Sequence, residues 1–173
     1  MSLRKILKQG DPALAKTCRP VEKFDRKLHW LLDDLKETLA EAGGVGLAAP
    51  QVGILRRVVV VEDEEEHMLE LVNPVIVSQE GEQDGLEGCL SVPGMYGKVK
   101  RPNVVTVRAQ DRDGNFFETT GEGLVARCFC HETEHLDGHL FTEHVMGRLY
   151  TEEELDAIQE AEEKKKSKGR KNR

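Results

Sequence analysis

Residues 124–138 read Leu124-Val125-Ala126-Arg127-Cys128-Phe129-Cys130-His131-Glu132-Thr133-Glu134-His135-Leu136-Asp137-Gly138. The apolar residues Leu124, Val125, Cys128, Phe129 and Leu136 predict a helix buried in the core, and Gly138 supplies its end. Inside it, His131-Glu132-Thr133-Glu134-His135 has H-E-x-x-H spacing. Residues four apart share one helical face, so both imidazoles can reach one ion. Glu132 lies about 100° round the helix from His131, beside such an ion but off the ligand axis. There it can take a proton from water. Two surface histidines on a polar face are the plainer reading, and the apolar neighbours argue against it. Two core histidines at this spacing need a shared reason.

The third ligand has to come from outside the helix. From Cys128 to His135 is about 10 Å of axial rise, too far for one tetrahedral ion, and His131 to His139 has the same difficulty. A histidine at position 141 would mark the metzincin pattern, but Phe141 stands there. A glutamate from the acid-rich residues 152–163 and Cys89 both remain. Cys89 sits in Glu87-Gly88-Cys89-Leu90-Ser91-Val92-Pro93-Gly94, read as a loop whose small residues let backbone approach an ion or substrate closely. Gly44-Val45-Gly46-Leu47-Ala48-Ala49-Pro50-Gln51 is a second small-residue stretch, apolar until its closing amide.

Toward the N-terminus, Asp11-Pro12 predicts a short capped helix. Leu28, Leu31, Leu32, Leu35 and Leu39 predict a long helix over residues 25–42, stopped by Gly43 and Gly44. Residues 56–62 predict a strand, the acidic run after it a turn, and residues 68–78 a second strand interrupted at Asn73-Pro74. Residues 98–110 and 115–120 predict a hairpin about Asp113-Gly114. Thr151 and Glu154 form a capping box that opens a charged C-terminal helix, and from Lys164 the chain is mostly Lys and Arg. Short strands and three helices without βαβ alternation predict an α+β fold.

At 173 residues, 38% hydrophobic and 33% charged, the chain has the size and composition of one globular domain. A formal charge of −7 argues against a general nucleic-acid binder, DNA included. No apolar run approaches the roughly 20 residues that span a bilayer, and no secretory signal opens the chain. A cytoplasmic location without membrane contact is therefore expected, with the four cysteines as reduced thiols or metal ligands.

Together, residues 44–51, 87–91 and 131–135 resemble peptide deformylase, which carries G-x-G-x-A-A-x-Q, E-G-C-x-S and H-E-x-x-H segments in this order. The likeness extends to Gly10-Asp11-Pro12 and to Arg101-Pro102. It implies antiparallel sheets wrapped around the H-E-x-x-H helix, as one catalytic domain over residues 1–150, with a charged helix and basic tail over residues 151–173. It also implies a hydrolase that removes the formyl group from formyl-methionine at the N-terminus of nascent chains. By the same resemblance Cys89, His131 and His135 would bind one divalent metal ion, ferrous in the cell, with zinc, nickel or cobalt as replacements. Glu132 would be the general base, and the Gln51 side chain and Leu90 backbone N–H would donate to the oxyanion. Val45, Gly46 and Gly88 would hold the substrate backbone, Cys128 would line the methionine pocket, and Glu87 would belong to the same binding region, paired with Arg101. Cys130 departs from the family, where glutamine is frequent. The family's work on nascent chains suggests ribosome contact through the basic tail. A peptidase with the same helix, or a structural zinc domain closed by Cys128 or Cys130, are the alternatives.

Overall fold

The Asp25 carboxylate accepts from the Leu28 amide and Gly43 turns left-handed at φ 74°, so the first long helix, α1, runs Arg26–Ala42. The computed structural model describes residues 2–172; Met1 and Arg173, the outer ends of the two expected segments, lie outside the described residues. After α1 come β1 (Gly46–Ala48), β2 (Val58–Glu62), β3 (Met68–Glu80), β4 (Gln83–Cys89), β5 (Val92–Arg101), β6 (Val104–Gln110) and β7 (Phe116–Glu122). Then follow α2 (Leu124–His135), β8 (Val145–Thr151) and α3 (Glu152–Lys171). The named strands pair antiparallel in two sheets, one of order β1-β2-β3-β6-β7 and one of order β4-β5-β8. Among the described residues no helix is long and apolar enough to cross a membrane.

The run Val58-Val59-Val60-Val61 explains how the site is supported. Successive side chains on a strand point to opposite faces, yet all four are fully buried. Val58 and Val60 belong to the same core cluster as Leu28, Leu32, Leu35 and Leu39 of α1, while Val59 and Val61 belong to that of Ala126 and Phe129 of α2. β2 is thus the shared floor of both helices. Each fully buried leucine of α1 contributes about 2 kcal/mol of apolar transfer energy, which secures the sheet against which α2 rests.

Several boundaries differ from the sequence reading. β3 continues through Asn73-Pro74 instead of breaking there, because Asn73 adopts φ 51° and the register to β6 shifts between Val72 and Val75. The Asn73 side chain covers the bulge, accepting from the Val21 amide (2.8 Å) and donating to the Val21 carbonyl (2.9 Å). The expected strand over residues 98–110 is two strands in different sheets, since Pro102 interrupts the ladder between β5 and β6. The cysteine segment is the end of a strand, and the basic residues from Lys164 continue α3 to Lys171.

Lys36 of α1 and Arg112 beyond β6 converge on Glu70 of β3, at 2.8 and 2.5 Å. Burial pushes the Glu70 carboxyl up, but hydrogen bonds from Arg112 and Lys36 outweigh it and hold it below the usual 4.5. A depressed carboxylate stabilises the fold above its unfolded value and loses that contribution as pH falls through the folded one. Glu70→Gln should therefore cost about 1 kcal/mol at pH 7, shown by urea unfolding, and the difference from wild type should close below about pH 4.

Candidate metal centre

α2 opens at Gly123, whose φ of 58° lets β7 turn directly into the helix, and its first half buries Val125, Ala126, Cys128 and Phe129. Its second half carries His131, Glu132 and His135, all buried. Cys89 reaches them from β4, where the β4–β5 pairing shifts between Gly88 and Cys89. That bulge re-aims the cysteine. Cys89 Sγ lies 3.4 Å from His135 Nε2, and His135 Nε2 lies 3.2 Å from His131 Nε2. The three donor atoms all fall within 4.8 Å of one another, the only such group of three among the described residues. The rivals lie elsewhere: His139 is exposed and meets Glu143 at 3.0 Å, and Cys130 faces a separate recess beside Thr133 and Glu134.

Glu87 organises the centre from behind. Its carboxylate, 4% exposed, accepts from Arg101 Nε (3.0 Å), Arg101 Nη2 (2.7 Å), Arg127 Nη1 (3.0 Å) and His131 Nδ1 (2.8 Å). Burial would push the Glu87 carboxyl up, but His131 and Arg101 hold it down to about 2. The ionised carboxylate in turn fixes a proton on His131 Nδ1 and orients the ring so that Nε2 faces His135 Nε2. Phe141 stacks on the same ring with centroids 5.8 Å apart. Expected among the substrate-binding residues, Glu87 directs its carboxylate inward to these partners. Arg127 and Phe141 were missed as supports of the site. An arginine within the apolar run 124–130 was the available signal for the first; the ring stacking had none.

Glu132 is 3% exposed, and its Oε2 has no hydrogen-bond partner. Burial pushes its carboxyl up to about 7, with His131 pulling down and Glu87 pushing up. Gly46 makes room for it: a Cβ there would lie 2.9 Å from Glu132 Oε1 and 3.0 Å from Cys128 Sγ. Gln51 is 1% exposed; its carbonyl oxygen accepts from the Ala48 amide (2.9 Å), which fixes the flip. The Gln51 NH2 group then faces Ser91 Oγ (3.1 Å) and Cys89 Sγ (3.6 Å). Leu90 forms the turn after Cys89, its carbonyl accepting from Lys8 Nζ (3.1 Å). A cavity of about 530 Å³ lies beside the cluster, bordered by Val45, Gly46, Gly88, Leu90, Cys128 and Glu132. Burial, with Glu132 and Glu87 nearby, pushes the Cys128 thiol up, so it lines the cavity as a neutral group.

The donor set fits a small divalent cation. Ligands about 2.0–2.3 Å from a tetrahedral ion stand roughly 3.3–3.6 Å from one another. The observed 3.2 and 3.4 Å match that spacing. Two imidazole nitrogens and a cysteine sulfur converge on one point, and the unpartnered Glu132 oxygen belongs to the residue beside them.

An α+β fold whose central helix carries H-E-x-x-H, with a cysteine and a buried glutamate beside it, defines a metal-dependent hydrolase. A family model described as polypeptide deformylase matches residues 3–149. A peptide deformylase of Agathobacter rectalis is 55% identical over 141 residues, covering 82% of this chain and 89% of that one. Another from Caldicellulosiruptor bescii is 56% identical, covering 82% and 84%. The crystal structure of a peptide deformylase from Legionella pneumophila superposes with a TM-score of 0.81 at 42% identity, covering 98% of this chain and 99% of that one. The chain belongs to the polypeptide deformylase family. Members are metal-dependent enzymes that remove the formyl group from the N-terminal formyl-methionine of nascent peptides.

Proposed function

We propose that residues 1–150 are the catalytic unit, in which Cys89, His131 and His135 hold one divalent ion, ferrous in the cell, with zinc, nickel or cobalt able to replace it. The observation that carries the reading is the convergence of three donor atoms beside a buried carboxylate oxygen that has no partner. A bound ion supplies a Lewis acid and lowers the pKa of water in contact with it to about 7. Glu132 takes the proton as water adds to the formyl carbon, then returns it to the amine nitrogen as the C–N bond breaks. Formate and a free N-terminus result. The Gln51 amide and the Leu90 N–H stand ready for the oxygen that becomes negative, and losing one such donor costs about 3 kcal/mol of barrier.

Val45, Gly46 and Gly88 receive the substrate backbone as an added strand along the cavity. Cys128 lines the apolar methionine pocket; Glu87 takes part through the loop it steadies. A formyl carbon carries only hydrogen, so a close-fitting wall excludes acetyl. In the cytoplasm the basic end of α3 contacts ribosomal RNA; deleting residues 164–173 should weaken ribosome binding at low salt, and unchanged binding would dispose of that contact.

The direct test is amine release from formyl-Met-Ala-Ser and acetyl-Met-Ala-Ser, using anaerobically prepared protein restored with ferrous iron. Release from the formyl peptide alone is expected, and none from either would overturn the reading. Cys89→Ala should lose its metal; full metal retention would point to a glutamate ligand and a peptidase instead. Exposure of the ferrous form to air should inactivate it, with Cys89 the oxidised group.

A further inference from the structure

A second large groove, about 890 Å³, lies away from the metal centre. It touches the first turns of α1, whereas the metal-centre cavity touches Ala42 and Gly43 at the other end of that helix; the two linings approach each other along the N-terminal segment, at Arg4 and Ile6. Five cations line it: Arg4, Arg19, Lys23, Lys27 and Arg56. Arg4 pairs with Asp34 at 2.8 Å, but no ion pair within 4.0 Å reaches the other four among the described residues. Of the two acids in the lining, Asp25 is engaged as the α1 cap, which leaves Glu22. On a chain of net charge −7, this is a marked local excess of positive charge.

Backbone geometry fixes part of that excess in place. An isolated parallel bridge pairs Arg19 with Arg56, with the Arg19 amide bonded to the Leu55 carbonyl (3.1 Å) and the Arg57 amide to the Arg19 carbonyl (3.0 Å). Like charges set side by side repel, which folding alone gives no reason to arrange. At the rim stands Trp30, 51% exposed, over a floor that includes buried Val21 and Leu28. Unpaired cations beside an exposed indole suit a ligand bearing both phosphates and planar bases.

We propose that this groove binds single-stranded RNA, its phosphates on Arg19, Arg56, Lys23 and Lys27 and a base stacked on Trp30. Trp30 is the chain's only tryptophan, so its fluorescence reports on this groove and not on RNA held at the basic end of α3. The test titrates the metal-loaded full chain with an eight-nucleotide oligoadenylate and follows tryptophan emission. A saturable quench is expected, weakening as salt rises from 50 to 200 mM. The double variant Arg19→Ala/Arg56→Ala should bind about tenfold more weakly. Its slope of log affinity against log salt should flatten by roughly 1.4, while deformylation of formyl-Met-Ala-Ser stays unchanged. Both arginines are exposed, so the variant keeps its fold. No quench at 50 mM salt, or a quench indifferent to the double variant, would overturn the proposal. Equal competition by inorganic polyphosphate would remove the base-stacking role and overturn it too. ATP binding as tightly as the octamer would make this a mononucleotide site and overturn the RNA assignment.

Discussion

Glu132→Gln is expected to lower kcat/KM on formyl-Met-Ala-Ser by about 10²–10⁴-fold while metal content and unfolding midpoint stay close to wild type. The side chain is buried, touches the donor cluster, and leaves Oε2 without a partner inside the protein. Glutamine keeps its shape and can still hydrogen-bond water, but it accepts no proton. Burial already pushes the Glu132 carboxyl up to about 7, so the site tolerates a neutral group there and the fold should not suffer. Steady-state rates and metal analysis on one preparation provide the check. Activity within threefold of wild type would remove Glu132 from the chemistry. A large loss of metal would make it a ligand instead.

The largest stability effect is expected at Glu87. Glu87→Ala leaves the Arg101 and Arg127 guanidinium groups, 5% and 6% exposed, without the carboxylate between them. Removing one partner of a buried ion pair costs about 3–5 kcal/mol, because the remaining charge stays desolvated. Glu134 keeps one contact to Arg101 at 2.6 Å, and Val99 keeps its carbonyl on Arg127 at 2.9 Å, so part of the network survives. His131 also loses the acceptor that fixes its tautomer, and metal affinity should fall by about 10–100-fold. Urea unfolding and metal competition measure the two effects separately. Glu87→Gln retains the shape without the charge and should fall between wild type and alanine in both. A cost below about 1 kcal/mol for Glu87→Ala would mean that the arginines find other partners.

These two residues show unequal access from sequence. Spacing alone put His131 and His135 on one helical face with Glu132 about 100° round from His131, and apolar neighbours placed that turn in the core. The leucines of α1 and the Thr151–Glu154 capping box are equally local patterns, and the structure follows them. Glu87 was different, because its partners Arg127 and His131 lie 40 and 44 residues away, and no periodicity connects them. Cys89 looked like part of a loop because glycines at 85 and 88 weaken a strand signal that only pairing with β5 restores. β1 and β8 were invisible for the same reason: three residues, or seven including Gly147, carry too little pattern of their own. Gly46 read as a flexible small residue, whereas its lack of a side chain makes space for Glu132.

None of the twenty residues of α3 is buried. Beyond its capped first turn, the helix is therefore governed by helix–coil statistics and not by tertiary packing. Isolated helices of this length are marginal in water, and a fraying end is not coupled to the cooperative melting of the sheets. The six basic residues between Lys164 and Lys171 repel one another but favour the negative end of the helix dipole, two opposing effects that salt screens together. Anything polyanionic that neutralises them would lengthen the ordered helix as it binds. The last three turns are thus the part of the helix whose length should respond most to its surroundings.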